Sequence, residues 1–227
     1  MRKQTIVRIG KLVLFFAFGY LFSQYIRIGI TDGLQGLGVR REIVAALSRF
    51  AVLGYAIPLL LAEGFRRPEH NLWRIGDFRA EIRFPLIWRG QPDPVWRFLL
   101  IFAGCMAFVA AFAIYWRMAA GGTDWMRLLW FGLLFSIVNS VLEEAVWRGQ
   151  LLSRHAYGLG EAKALLWVSF CFGLSHYDLG FSLPVCLAFA VGGFFMGGAD
   201  LRSKGLLAPM LMHFVMNMVF VLFGMII

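Results

Sequence analysis

Seven apolar stretches, most of them close to 20 residues long, limit what this chain can fold into. They cover residues 12–30, 43–62, 96–116, 128–152, 164–175, 181–199 and 206–227. A helix needs about 20 apolar residues to cross the hydrocarbon core of a bilayer. Hydrophobic residues make up 60% of the chain, against about 45–50% in soluble proteins. The sequence therefore predicts an all-α fold, a polytopic transmembrane helical bundle of about seven to eight spans.

Basic residues are unevenly distributed between the two ends of these predicted spans. The segment 64–97 carries seven arginines, and the N-terminus before the first span is also basic. Because basic loops stay in the cytosol, we expect an integral membrane protein with a cytosolic N-terminus. Most of the basic residues are arginines, which suggests a GC-rich bacterial genome and therefore the bacterial plasma (inner) membrane. The net charge of +9 favours contact with anionic lipids. Nucleic acid is not an expected partner, because the basic residues lie beside membrane spans.

The segment 64–97 also contains Trp73, Trp88 and Trp96 among its arginines. Interleaved aromatic and basic residues are typical of a segment that lies on the lipid headgroups. The alternative is a solvated loop that only sets the topology. We therefore assign residues 1–127 to an N-terminal membrane region that contains spans 1–3 and an Arg/Trp-rich interfacial cytosolic segment, 64–97.

Three of the apolar helices carry charged or strongly polar residues where a membrane helix rarely has them. A charge at the centre of such a helix costs about 2.5–3.5 kcal/mol on insertion scales, so a buried polar active site is the default interpretation. Glu144 and Arg148 are four residues apart and can pair, whereas Glu143 has no obvious partner on its own helix. A desolvated, unpaired carboxylate is suited to act as a general base. The alternative is a buried salt-bridge network that only holds helices together.

Two histidines follow on later helices. His213 and Asn217 are four residues apart, so they share one face of the last span. His176 ends the short fifth span. Interhelical hydrogen bonding or packing would explain each of them alone. With the glutamates, however, they supply a base, a second proton-handling group and neutral donors for an oxyanion, which together favour a hydrolase.

The three motifs occur in the order Glu143-Glu144-x-x-x-Arg148, Phe172-x-x-x-His176 and His213-x-x-x-Asn217. In this pattern the chain resembles the CPBP (CAAX-processing and bacteriocin-processing, or Abi) family of intramembrane proteases, including the type II CAAX endopeptidases. The resemblance covers residues 128–227, which we expect to form the catalytic helix bundle. It implies an endopeptidase in which Glu143 and His176 activate water, while His213 and Asn217 stabilise the oxyanion. Glu144 and Arg148 have a supporting role.

The expected substrate is a membrane-associated protein or peptide, without the prenyl group of eukaryotic CAAX substrates. No cofactor is expected, because the motifs do not form the HExxH pattern of zinc proteases and asparagine is a poor zinc ligand. The alternative is a zinc ion held by Glu143, His176 and His213. The rival function is a non-catalytic membrane protein, a bacteriocin-immunity factor or a transporter, that keeps a buried polar network. The sequence does not indicate an oligomeric state.

Two further expectations concern the cytosolic side. Counting about 1.5 Å per residue along each helix, the motif residues reach similar depths when measured from the cytosolic ends. We therefore expect a substrate cavity that opens toward the cytosolic half of the bilayer. Asp200 and Arg202 are expected to pair at a helix end on the cytosolic surface. Glycines 192, 193, 197 and 198 are expected to allow close helix packing.

Overall fold

The fold is a bundle of helices with one short hairpin. The computed structural model describes residues 2–63, 72–83 and 87–226, without the side chains of residues 2–6, 8, 9, 62 and 63. The α-helices are α1 Arg2–Gly36, α2 Arg41–Leu47, α3 Ile57–Glu63, α4 Val95–Ala120, α5 Trp125–Glu144, α6 Ser153–Leu159, α7 Glu161–Leu174, α8 Leu183–Ser203 and α9 Leu207–Leu222.

Other elements interrupt this series. A 3₁₀ segment, Ser48–Tyr55, joins α2 to α3, and a 3₁₀ turn, Tyr177–Leu179, follows α7. Between α5 and α6 the backbone is π-helical from Ala145 to Leu152. Strands β1 Glu81–Arg83 and β2 Pro92–Pro94 pair antiparallel, with Ile82 opposite Asp93. The all-α prediction holds apart from this two-stranded hairpin.

Five helical stretches of the described residues are long and apolar enough to cross a membrane. They are Gly10–Gly36, Arg41–Leu61, Val95–Ala120, Trp125–Leu159 and Leu183–Ser203. The remaining two predicted spans correspond to α7 and α9, which are shorter helices of 14 and 16 residues. The prediction of a polytopic helical bundle is therefore confirmed.

Close packing of α7 on α8 depends on glycine. A Cβ atom on Gly173 would lie 2.4 Å from the carbonyl oxygen of Cys186, and one on Gly193 would lie 2.8 Å from the Phe172 ring. Both distances are below van der Waals contact, so neither position has room for a side chain. The expected role of the α8 glycines in close helix packing is confirmed at Gly193. This packing brings the Phe172 ring against the helix that carries Arg148.

The N-terminal helices pack directly on the later ones. The 3₁₀ segment runs against α1, where a Cβ atom on Gly54 would lie 2.3 Å from the backbone nitrogen of Ser23. The Tyr55 ring lies 4.9 Å from the Trp147 ring. One hydrophobic core includes Leu12 and Tyr55 together with Trp147 and Leu165. Residues 1–127 and 128–227 therefore share a core, and the division at residue 127 stays a prediction.

Part of the Arg/Trp-rich segment covers one end of the bundle. Trp73 donates from Nε1 to the carbonyl of Gly149 at 2.8 Å. The backbone nitrogen of Asp77 donates to Ser203 at 2.7 Å, and that of Leu206 donates to Arg74 at 2.9 Å. Residues 72–77 are thereby tied to the π-helical segment and to the turn between α8 and α9. Of the segment 64–97, residues 64–71 and 84–86, which include Arg66 and Arg67, lie outside the described residues.

The expected pair between Asp200 and Arg202 is wrong. Arg202 instead forms an ion pair with Glu161 of α7. Asp200 is completely buried, and neither of its carboxylate oxygens has a hydrogen-bond partner among the described residues. Helix α8 continues to Ser203, and Asp200 is seven residues after Gly193, on the face of α8 that packs into the bundle. Two positions further on, Arg202 points to a different side of the helix.

Candidate active site

Glu144 is at the centre of a buried hydrogen-bond network. Its Oε1 atom accepts from Nη1 of Arg148 at 2.7 Å and from Nδ1 of His213 at 2.8 Å. Arg148 also donates from Nη2 to the carbonyl of Gly193 at 3.0 Å. Glu144 and Arg148 are 0% and 1% exposed. The predicted ion pair is confirmed, and it links α5 to α8 and α9.

The backbone changes from α-helical to π-helical between these two partners. The π-helical segment begins at Ala145, immediately after Glu144, and includes Arg148. Such widened turns are rare and are frequently found at functional sites. A regular α-helix was the expectation for residues 128–152, so this widening is a difference from the sequence prediction. Hydropathy patterns do not distinguish the two geometries.

The contacts of His213 fix which ring nitrogen carries the proton. Nδ1 faces the Glu144 carboxylate, which is paired with an arginine and can only accept. Nδ1 is therefore protonated, and Nε2 of the neutral ring is an acceptor. Nε2 lies 3.4 Å from Nδ2 of Asn139 and 3.7 Å from Oε2 of Glu143. With this tautomer Nε2 donates only when the ring is charged, and the predicted role of His213 as a donor to an oxyanion stays a prediction.

Among the described residues, the charged groups nearest to Glu143 belong to other helices. It is 5% exposed. Nη1 of Arg49 lies 3.8 Å from its Oε1 atom, and Nε2 of His213 lies 3.7 Å from its Oε2 atom. Both distances exceed that of a direct hydrogen bond. As predicted, Glu143 differs from Glu144 in lacking a tight partner on its own helix, but it is not electrostatically isolated.

Arg49 is a site residue to which the sequence motifs do not point. It belongs to the 3₁₀ segment, its side chain is only 16% exposed, and its guanidinium lies 5.4 Å from the Phe135 ring. The signal is present in the sequence, because Arg49 is the only charged residue in the apolar stretch 43–62. The cost of a charge inside a membrane helix, which singles out the glutamates, applies equally here.

His176 and Phe172 connect the second motif to the first and third. Nδ1 of His176 donates to the carbonyl of Phe172 at 2.9 Å, so Nε2 of the neutral ring is an acceptor. The His176 ring stacks on Phe189 at 4.1 Å. The Phe172 ring lies 4.6 Å below the guanidinium of Arg148 and makes edge contacts with both histidines. Phe172 therefore positions both imidazoles.

The predicted catalytic residues line two adjoining cavities. The larger cavity, of about 210 Å³, is lined by His176, His213 and Asn217. The smaller one, of about 40 Å³, is lined by Glu143 and His176. Nδ2 of Asn217 is buried and has no hydrogen-bond partner in the described part of the chain. His176 belongs to both cavities, so the structure brings all four predicted residues to one place.

The larger cavity extends toward the end of the bundle opposite the segment 72–77. Its lining includes Arg27, Leu179, Phe181 and the C-terminal residues Met225 and Ile226. These residues lie toward the ends of their elements that face away from residues 72–77. If 64–97 is cytosolic, the expected opening toward the cytosolic half is wrong. The physical reason is that residues 72–77 and the turn between α8 and α9 are bonded together across the expected opening. Counting residues along single helices does not reveal that contact.

The expected absence of a cofactor and its alternative, a zinc ion, both stay predictions. Across residues 2–63, 72–83 and 87–226, no three or more His, Cys, Asp or Glu side chains are grouped so that they could hold a metal ion. The alternative ligand set of Glu143, His176 and His213 is therefore not assembled. Both histidines keep Nε2 as an acceptor, and an accepting ring nitrogen is the atom that binds zinc. Metal analysis of the active protein therefore tests this alternative.

Comparison with known proteins identifies a family. No curated protein and no solved structure matches the chain significantly. Residues 125–219 match the family model of the type II CAAX prenyl endopeptidases, described as Rce1-like. The match contains all three motifs and leaves out the first 124 residues. Over residues 125–219 the chain thus carries a domain of the CAAX-protease-like (CPBP) family, embedded in an integral membrane protein.

Proposed function

We propose that this protein is an intramembrane endopeptidase that hydrolyses a peptide bond in a membrane-associated protein or peptide. One observation carries the proposal. Glu143 from α5, His176 from the end of α7, and His213 and Asn217 from α9 line two adjoining cavities inside an apolar bundle. Burying these polar groups together in a membrane bundle is costly, and such groups usually mark a functional site.

Glu143 is the proposed general base. Its contacts at 3.7 and 3.8 Å are too long for direct hydrogen bonds, and separations above about 3.5 Å are typical of pairs bridged by water. The carboxylate takes a proton from water as the water oxygen attacks the substrate carbonyl carbon. It then gives this proton to the leaving amine as the carbon–nitrogen bond breaks. His176, through its accepting Nε2 atom, orients the attacking water.

Asn217 and His213 are the proposed donors to the oxyanion. Asn217 lines the larger cavity, and its buried Nδ2 atom has no hydrogen-bond partner within the described residues. His213 contributes when it is charged, because only the imidazolium donates from Nε2. The Glu144 carboxylate holds the ring by accepting from Nδ1. Glu144 and Arg148 are therefore positioning residues, since Glu144 holds the His213 ring and Arg148 holds Glu144.

The direct test is Glu143→Gln, which keeps the side-chain size and removes the basic carboxylate. We expect turnover to fall by about 10²–10⁴-fold, the usual contribution of a general base. The matched control is Glu161→Gln on α7, since Glu161 pairs with Arg202 outside both cavities. Membranes of cells expressing wild type, Glu143→Gln or Glu161→Gln would be compared for newly formed protein termini.

Termini that appear with wild type and Glu161→Gln but disappear with Glu143→Gln would identify substrates. Turnover by Glu143→Gln at the wild-type rate would remove this residue from the mechanism. If no terminus depends on the wild-type protein, the rival function is favoured, a non-catalytic immunity factor or transporter with a buried polar network.

A further inference from the structure

Two arginines from the N-terminal helices line the same cavities as the motif residues. Arg27 lies on α1 and Arg49 in the 3₁₀ segment, and both line the larger and the smaller cavity. Both lie outside the family match, which begins at residue 125. They are therefore a feature of this chain that the shared motifs do not account for.

The charged residues described in the lining of the larger cavity are all basic. Its lining contains two arginines, two histidines and two asparagines, and none of the described residues that line it is an aspartate or a glutamate. The smaller cavity does contain carboxylates, but Asp178 there accepts from the Tyr20 hydroxyl, and Glu143 is the proposed base. The positive charge of the larger cavity thus has no matching carboxylate in its lining.

The two guanidinium groups are also incompletely bonded. Arg27 donates from Nη2 to Gln24 at 2.6 Å, and Arg49 lies 3.8 Å from Glu143. The Nε atom of each is buried without a hydrogen-bond partner in the described ranges. Two neighbouring cations with unused donors are costly to bury. An arginine fork matches the geometry of a carboxylate, which can accept two parallel hydrogen bonds.

We propose that Arg27 and Arg49 bind a carboxylate of the substrate peptide within about three residues of the scissile bond. This inference rests on the proposed function. The spacing is an upper bound. Arg49 lies 3.8 Å from Glu143, and the attacking water on one side and the ion pair on the other each add about as much again. An extended chain advances about 3.3–3.6 Å per residue, so the total corresponds to about three residues. The carboxylate is either the C-terminus of the peptide or an Asp or Glu side chain. Apolar neighbouring residues fit the rest of the lining, which includes Phe135, Phe181 and Phe220.

The test uses four acetylated tripeptides and measures binding to the purified full-length protein in detergent by thermal unfolding. The first pair is leucine-phenylalanine-leucine with a free carboxylate or with a C-terminal amide. The second pair consists of amidated peptides with glutamate or glutamine in the middle position. The proteins are wild type, Arg27→Gln and Arg27→Lys, since Arg27 does not contact Glu143. Arg41→Gln is the control, because it removes the same charge from an exposed position just beyond α1.

We expect at least one charged peptide to bind wild type about tenfold or more tightly than its neutral partner, as for a charge-assisted hydrogen bond. A preference within the first pair identifies a C-terminal carboxylate, and one within the second pair an acidic side chain. Arg27→Gln should abolish the preference, Arg27→Lys should keep part of it, and Arg41→Gln should leave it unchanged. Equal binding within both pairs, or no binding of any peptide to wild type, overturns the inference.

Two further readings separate this inference from its alternatives. If lysophosphatidate rather than any peptide stabilises wild type, and does so through Arg27, the site binds a lipid phosphate and the inference is wrong. Cleavage is then measured with libraries of longer palmitoylated peptides. These peptides have either a free or an amidated C-terminus, or either glutamate or glutamine at an internal position. Cleavage with no preference for either charged series contradicts the arginine site and leaves the endopeptidase function standing. Absence of cleavage in every series, with charge-selective binding intact, contradicts the endopeptidase function and leaves the carboxylate site standing.

Discussion

Replacing Arg148 by methionine should destabilise the protein strongly, although methionine fills much of the same volume. Arg148 is 1% exposed, pairs with Glu144 at 2.7 Å, donates to Gly193 and lies over the Phe172 ring. Removing one partner of a buried ion pair costs about 3–5 kcal/mol, because the other charge is left uncompensated. His213 remains as a partner of Glu144, which places the expected loss near 3 kcal/mol.

The free energy of unfolding would be measured by denaturant titration of the purified protein in mixed micelles. Glu144→Gln alone should cost a similar amount. The double variant Glu144→Gln/Arg148→Met should lose less than the sum of the two by about 2 kcal/mol or more, because no lone charge remains buried. Activity should be lower than wild type in all three variants. Either His213 loses the carboxylate that positions it, or that carboxylate loses its ion pair with Arg148.

The chain contains a matched control in the pair Asp93–Arg97. This pair has the same spacing of four residues and the same distance of 2.7 Å, but the Arg97 side chain is 59% exposed. Arg97→Met should therefore cost less than about 1 kcal/mol. The role of burial would be refuted if Arg148→Met lowered the free energy of unfolding by less than about 1 kcal/mol. It would also be refuted if the loss in the double variant equalled the sum of the losses in the two single variants.

Three other predictions follow from the site. Asn217→Ala should lower kcat by about 10²–10³-fold with little change in KM, as expected for loss of an oxyanion donor; a change confined to KM would instead make Asn217 a substrate-binding residue. Active protein should contain no stoichiometric zinc by elemental analysis and should survive chelator dialysis. Zinc lost together with activity would favour ligation by Glu143, His176 and His213. Single cysteines in the segment 64–97, in a background without the native cysteines, should react only from the cytosolic side, and labelling from outside would invert the topology.

The sequence by itself determined the membrane class and named most residues of the candidate site. Apolar length indicates which stretches can form membrane helices, because about 20 residues must cross the hydrocarbon core. Spacing along one helix sets the pair between Glu144 and Arg148, because residues four apart share a face. The three motifs also named Glu143, His176, His213 and Asn217, which the fold brings to adjoining cavities. These inferences succeed because they depend on local periodicity and on the cost of polar groups in an apolar run.

Only the tertiary structure decided how the helices meet. The contact between Arg49 and Glu143 joins residues 94 positions apart, and the bond from His213 to Glu144 sets which nitrogen of the imidazole can accept a proton. The burial of Asp200 depends on which face of α8 packs inward. The direction of the cavity depends on residues 72–77 closing the opposite end. Each is a relation between distant segments, whose relative depth and rotation are set by packing and are not encoded in the periodicity of any one helix.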